Sequence, residues 1–171
     1  MRKIILNVAV SLDGFIEGAN GEYDWCFTDN DYGMEKFLQQ TDTIFFGRKS
    51  YELFRSSFPD MWNDKKHYVF SHTLQQEGTK AIVVNDDGLS TVQNIKNEEG
   101  KNIWLFGGAS LATWFLKEGL IDELLLAVHP VLLGNGKPLF EMTNRRTWWK
   151  LQESKAYESG LVQNSYVIEK K

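Results

Sequence analysis

Asn102-Ile103-Trp104-Leu105-Phe106-Gly107-Gly108-Ala109-Ser110-Leu111 is the stretch that decides the fold class. Residues 102–106 are uncharged and rich in branched and aromatic side chains, so they read as a buried strand. Paired glycines follow at once, and Ser110 to Lys117 then reads as a helix, with Gly119 where a C-terminal cap glycine belongs. A strand that passes through glycines into a helix is one unit of an α/β sheet. Glycines there let a phosphate approach the backbone closely. The helix start supplies free N–H groups and a partial positive charge. The motif is neither a full G-x-G-x-x-G fingerprint nor a P-loop, because no G-K-[ST] follows. Taken alone it fits a tight turn without a ligand equally well.

The same pattern recurs on both sides of this stretch. Ile4 to Val10 reads as a buried strand, and Ser11 to Asp24, rich in Gly, Asp and Asn, as a long functional loop. Asp31 to Gln40 reads as a short helix. Thr43 to Phe46 is a strand ended by Gly47, and Lys49 to Phe54 is the helix after it. Short strands are expected at Tyr68–Phe70 and Ala81–Val84, then a helix from Leu89 to Asn97 with Asp87 or Gly88 near its cap. Leu124 to Val128 is apolar and ends at Pro130, and Leu133 to Leu139 reads as a loop. Two alternating segments, near 148–154 and 161–169, flank the turn Glu158-Ser159-Gly160 and predict an antiparallel hairpin. The whole reads as one domain over residues 1–171, a mixed sheet that is mostly parallel with an antiparallel C-terminal hairpin.

Composition narrows the function. With 171 residues, 42% apolar and 25% charged, the chain has the make-up of a globular domain able to bury a full core. Nineteen basic and 23 acidic residues give a net charge of −4, which offers no footprint for nucleic acid or an anionic membrane as partner. The single Cys26 excludes an internal disulfide and any multi-cysteine metal site. The apolar residues of Ile4–Leu12 are broken by Asn7 and Ser11 and lack a cleavage site, so the N-terminus is not read as a targeting segment and the cytoplasm is the expected compartment. No triad order and no zinc motif occurs, so a metal is not expected.

Three further segments carry candidate chemistry. In Gly47-Arg48-Lys49-Ser50 two cations stand in the first turn of a helix, where they oppose the macrodipole by roughly 0.3–1 kcal/mol each unless an anion is bound. Arg48 can also present a planar fork to a phosphate. Ser71-His72-Thr73 closes a strand with hydrogen-bonding groups, at the end where open α/β sheets bind ligands. In Val8-Ala9-Val10-Ser11-Leu12-Asp13-Gly14-Phe15-Ile16, the small Ala9 leaves room for a flat ring against the strand. His67 reads as structural, and His129, before Pro130, receives no role.

The order and spacing of Ala9, Ser11-Leu12-Asp13-Gly14, Gly47-Arg48-Lys49-Ser50, Phe70-Ser71-His72-Thr73 and Phe106-Gly107-Gly108 resemble the dihydrofolate reductase superfamily over nearly the whole chain. Within it, Ser11-Leu12-Asp13-Gly14 and the stretch from Gly108-Ala109-Ser110-Leu111 to Pro130-Val131-Leu132-Leu133-Gly134-Asn135-Gly136 look like the reductase domain of bacterial riboflavin biosynthesis. The resemblance implies an NADPH-dependent reductase on a sheet of about eight strands with helices on both faces, acting by hydride transfer to a small heterocyclic or sugar-derived substrate. It places Ala9 and Ile16 at the nicotinamide. Gly47, Arg48, Lys49 and Ser50 then flank the adenosine phosphates, Ser71 and His72 face the 2′-phosphate, and Phe106, Gly107, Gly108, Ala109, Ser110 and Leu111 lie at the pyrophosphate. Folate-type reductases carry an acid shortly after a loop tryptophan; here Trp25 is followed by Asp29 and Asp31. Asp13, Trp25 and Asp31 are therefore the candidates for catalysis, with helix capping as the other reading of Asp29 and Asp31 and fixing of the loop as the other reading of Asp13. The riboflavin-pathway uracil reductase and a nucleotide-binding module without turnover remain alternatives. For the former, Lys137 and Arg145-Arg146 are the basic residues on offer. Leu124–Val128 and Trp148-Trp149 are candidates for a homodimer contact.

Overall fold

Alternating side chains along the parallel strands build two cores, one on each face of a single sheet. The computed structural model describes residues 1–143 and 146–169. Its elements are β1 (Ile4–Ser11), β2 (Phe15–Gly18), α1 (Met34–Gln39), β3 (Thr41–Gly47), α2 (Arg48–Ser57), β4 (Lys66–Phe70) and β5 (Ile82–Val84). There follow α3 (Gly88–Asn97), β6 (Asn102–Gly107), α4 (Ala109–Lys117), β7 (Glu123–His129), β8 (Gly136–Pro138), β9 (Trp149–Ala156) and β10 (Val162–Ile168). Eight strands form one sheet in the order β5-β4-β3-β6-β1-β7-β10-β9. All pairings from β5 to β7 are parallel, and β10 is antiparallel to both β7 and β9.

On one face Ile4, Leu6, Phe45, Ile103 and Leu105 meet Val92 and Ile95 of α3 and Phe115 and Leu116 of α4. On the other, Ile5, Ile44, Phe46, Val69 and Trp104 meet Phe37 of α1 and Tyr51 and Phe54 of α2. The period of two that puts Phe45 on the first face puts Phe46 on the second. Gly119, at φ 66°, closes α4 as expected: its N–H donates to Leu116 O at 3.1 Å, and that of Leu120 to Phe115 O at 2.9 Å.

The structure corrects two of the expected loops. Residues 11–24 contain β2, and residues 133–139 contain β8; the two pair antiparallel as a separate ribbon. Their partners lie about 120 residues apart, and Gly18, Gly136 and Pro138 give these short strands little intrinsic tendency to extend. The strand offered for self-association, β7, lies inside the sheet with both edges occupied by β1 and β10, and Trp149 packs against the first core. Trp148 is 55% exposed. Arg145 lies outside the described residues, and Arg146 is exposed.

Candidate functional site

Three helices begin at one edge of the sheet: α2 after β3, α3 after β5 and α4 after β6. Parallel strands bring their carboxyl ends to a common edge, so these starts are neighbours in space. None of the three has a side-chain hydrogen bond from its cap residue, and none has an acid in its first turn. Their leading N–H groups and dipoles therefore face the same space without a carboxylate from their own first turns. A cavity of about 680 Å³ fills that space, lined by residues 47–50, 70–72, 84–88 and 108–111, by Trp114, and by Glu17 and Lys137 of the ribbon. Its volume suits a small organic ligand.

The two glycine turns are tied together directly. The Gly108 N–H donates to Ser50 Oγ at 3.0 Å. A Cβ on Gly47 would stand 3.4 Å from Gly107 O and 3.8 Å from Gly108 N, so the turns approach backbone to backbone. Gly107 has φ 111°, which favours glycine, and a cis peptide joins it to Gly108. Arg48 lies along α2, with Nη1 3.1 Å from both carboxylate oxygens of Glu52, while Lys49 is exposed. Ser71 Oγ accepts the N–H groups of Thr73 at 3.1 Å and Leu74 at 2.9 Å, which turns the chain after β4 and presents His72 to the cavity. Asp86 and Asp87 also line the cavity; Ser90 Oγ donates to Asp87 Oδ2 at 2.6 Å.

Most of the residues expected at a cofactor do meet here: Gly47, Arg48, Lys49, Ser50, Ser71, His72, Gly108, Ala109, Ser110 and Leu111 all line the cavity. Ala9 and Ile16 do not; the cavity stops at Glu17, next to Ile16, and Ala9 lies half-buried on β1 opposite Ala127. Gly107 lies behind the turn. Phe106 is aimed at the second core, with ring centroids 4.9 Å from Phe46 and 5.0 Å from Trp104, because alternation sends it to the opposite face from Leu105. Sequence reading overlooked Glu17 and the turn 85–88. The second is the same strand-to-helix pattern as the other turns and was there to be found.

Asp13, Trp25 and Asp31 do not line this cavity. Asp13 rivets two loops: it accepts from Ser11 Oγ at 2.6 Å, Leu133 N at 3.2 Å and Gly134 N at 2.8 Å. The Ser11 hydroxyl, followed by those amides, holds its carboxyl below the usual carboxylate range. Asp31 Oδ1 accepts the Glu35 N–H at 2.9 Å, ahead of α1, and borders a second, open depression near Trp62 and Lys101. Trp25 lays its ring at 84° to His129, 5.3 Å between centroids, with its indole N–H buried and without a hydrogen-bond partner among the described residues.

His129, which sequence reading left without a role, anchors that loop. It is 3% exposed; its Nε2 accepts the Phe27 N–H at 3.1 Å, and its Nδ1 lies 3.0 Å from Ala127 O, so Nδ1 carries the hydrogen. Burial pushes its pKa below the ordinary 6.5. A protonated Nε2 cannot accept the Phe27 amide. This stability is thus present above the ordinary histidine pKa and is lost as pH falls through the lower folded value. The melting temperature should fall from about pH 7 to about pH 5 more steeply in the native protein than in His129→Gln, whose amide oxygen can still accept from Phe27. Burial lowers the His67 pKa too, and that contribution is common to both proteins. Parallel pH profiles would remove His129 from this account.

Among the described residues no group of three or more His, Cys, Asp or Glu side chains is placed to hold a metal, and no helix is long and apolar enough to cross a membrane. The sheet order, the C-terminal hairpin and the glycine turns at one edge define a dihydrofolate-reductase-like α/β domain. The chain belongs to the RibD C-terminal domain family, whose model matches residues 2–163. It is 47% identical over 177 residues to the uncharacterized protein YyaP of Bacillus subtilis strain 168, covering 96% of this chain and 94% of that one. A crystal structure of a Shewanella sp. PV-4 protein, named for riboflavin biosynthesis, superposes with a TM-score of 0.86 at 27% identity, covering 99% of this chain and all of that one. Acinetobacter baumannii RibD shares the fold, with a TM-score of 0.74 at 17% identity; the match covers 99% of this chain and 58% of that longer protein.

Proposed function

We propose that the chain is a reductase that binds NADPH in the groove between α2, α3 and α4. The observation that carries this reading is the convergence of three uncapped helix starts, two of them through glycine turns, on one cavity. Such a groove suits an elongated ligand with several phosphates. The residues that line the groove fit the cofactor: the turn 108–111 would receive the pyrophosphate and Arg48, Lys49, Ser71 and His72 the adenosine phosphate, while the nicotinamide would pass beyond the cavity's end at Glu17 to reach Ala9 and Ile16. When bound, the dinucleotide supplies a hydride to an electrophilic carbon of the substrate. The protein's part is to orient that ring against β1 and to keep water out with the loops pinned by Asp13 and His129.

The substrate in this reading is a small heterocyclic or sugar-derived compound without a phosphate. Residues 4–35, which supply β1, β2 and the loops over the ends of β1 and β7, contain seven acids and no lysine or arginine. A phosphoribosylated pyrimidine needs cations there. Lys137, on β8, is turned instead toward Ser110 at the start of α4, both of them meeting Glu141 Oε1. Binding of NADPH is tested by tryptophan quenching or calorimetry, and turnover by loss of the reduced nicotinamide absorbance across a panel of neutral heterocycles and the phosphorylated pyrimidine. No binding at millimolar NADPH would end the reading. Tight binding without turnover of any substrate would favour the nucleotide-binding module.

One observation favours NADH as a second reading: Asp86 and Asp87 line the adenosine end, and carboxylates there suit a ribose with free hydroxyls. Replacing Arg48 and Lys49 together by alanine decides between them. On the NADPH reading the variant loses roughly 10- to 100-fold in NADPH affinity, the size of one or two charged hydrogen bonds, and at most about threefold for NADH. Equal losses would remove the proposed contact with the 2′-phosphate.

A further inference from the structure

A carboxylate holds two of the side chains that line the groove. Glu141 Oε1 accepts from Ser110 Oγ at 2.7 Å and from Lys137 Nζ at 2.9 Å. The backbone of Glu141 is pinned beside α4, because its N–H donates to Thr113 Oγ1 at 2.8 Å. Ser110 belongs to the first turn of α4, and Lys137 to β8, where it pairs with Glu17; Ser110, Lys137 and Glu17 all line the cavity. One oxygen thus gathers a hydroxyl and an ammonium beside the positive end of a nine-residue helix. Lys137 and Ser110 hold the Glu141 carboxyl below its ordinary range, so it is an anion near neutral pH.

We propose that Lys137 completes the pyrophosphate subsite and that Glu141 is its resting counter-ion, displaced when the dinucleotide enters. The inference rests on the dinucleotide reading and deepens it. Two features support an exchange of partners rather than a fixed structural pair. Both side chains are well exposed, at 44% and 41%, and surface pairs of this kind add little to stability. Lys137 also rides on the two-stranded ribbon outside the main sheet, between Gly134 at φ 73° and the Leu139 N–H bond to Gly14 O. A phosphate oxygen at the start of α4 would offer Ser110 and Lys137 the acceptor that Glu141 offers them now, with more charge.

The test compares three ligands by calorimetry: NADPH, ADP-ribose, which keeps the pyrophosphate but lacks nicotinamide, and 2′-AMP, which lacks the pyrophosphate. Lys137→Met should weaken NADPH and ADP-ribose about tenfold, the worth of one charge-assisted hydrogen bond, and change 2′-AMP by less than about twofold. Lys137→Arg should retain most of the affinity. Glu141→Gln should tighten ADP-ribose by about threefold, since the competing anion is gone. Equal effects of Lys137→Met on all three ligands, no effect on any, or weaker binding in Glu141→Gln would overturn the proposal. A native protein that binds none of the three overturns the dinucleotide reading as well. A native protein that binds NADPH with Lys137→Met unchanged overturns this inference alone.

Discussion

Gly108→Asp should abolish dinucleotide binding while leaving the fold at least as stable. Gly108 caps α4 with φ −54° and ψ −177°, a conformation open to any residue. Aspartate is among the best N-cap residues and gains a few tenths of a kcal/mol over glycine there. Its charge at the helix start adds roughly 0.3–1 kcal/mol. The new Cβ would meet only Ser50 Oγ, at 3.3 Å, and that hydroxyl can give slightly. The same carboxylate would satisfy the N–H groups that the dinucleotide reading assigns to a phosphate and would repel it. A loss of about 3 kcal/mol, near a hundredfold, is expected for NADPH. Calorimetric titration and a thermal melt on one preparation check both halves. A variant that melts as high as the native protein and still binds NADPH normally would show that the start of α4 is not the anion site.

Phe45→Ala should lower the melting temperature by about 10 °C or more. Phe45 is fully buried on β3, with ring centroids 5.7 Å from Tyr68, 5.2 Å from Phe70 and 5.8 Å from Phe115. Removing a buried phenyl ring costs roughly 3–5 kcal/mol, and each kcal/mol shifts the melting point by about 2–4 °C in a domain of this size. The effect reaches the site, because Phe70 lines the cavity just before Ser71 and Phe115 lies in α4. NADPH binding should therefore weaken even well below the melting point. A shift of less than about 3 °C would mean that α4 closes onto β3 and fills the space.

The three strand-to-helix turns illustrate what a sequence shows about a site of this kind. Residues 47–50 and 107–111 were legible because strand, glycine and helix follow one another within ten residues, and the chemistry of a helix start is local. The turn at 85–88 carries the same pattern after a three-residue strand and went unread as a site. Lys137 was visible as a cation but not as a neighbour of Ser110, since the ribbon that carries it forms by pairing 15–18 with 136–138. His129 gave no local sign of its task, because the amide it accepts belongs to Phe27, 102 residues away.

Strand and helix alternation, the antiparallel tail and the glycine turns were written in the chain itself, since each depends on side-chain period and backbone freedom within a short window. Tertiary structure alone decided which helix starts share a cavity, that the loop Asp13 fixes is tied to residues 133–134, and that Asp31 stands apart from the groove. Those outcomes depend on strand order. A sheet that places β3 beside β6 and β1 beside β7 brings together residues whose separation along the chain carries no information about their distance in space.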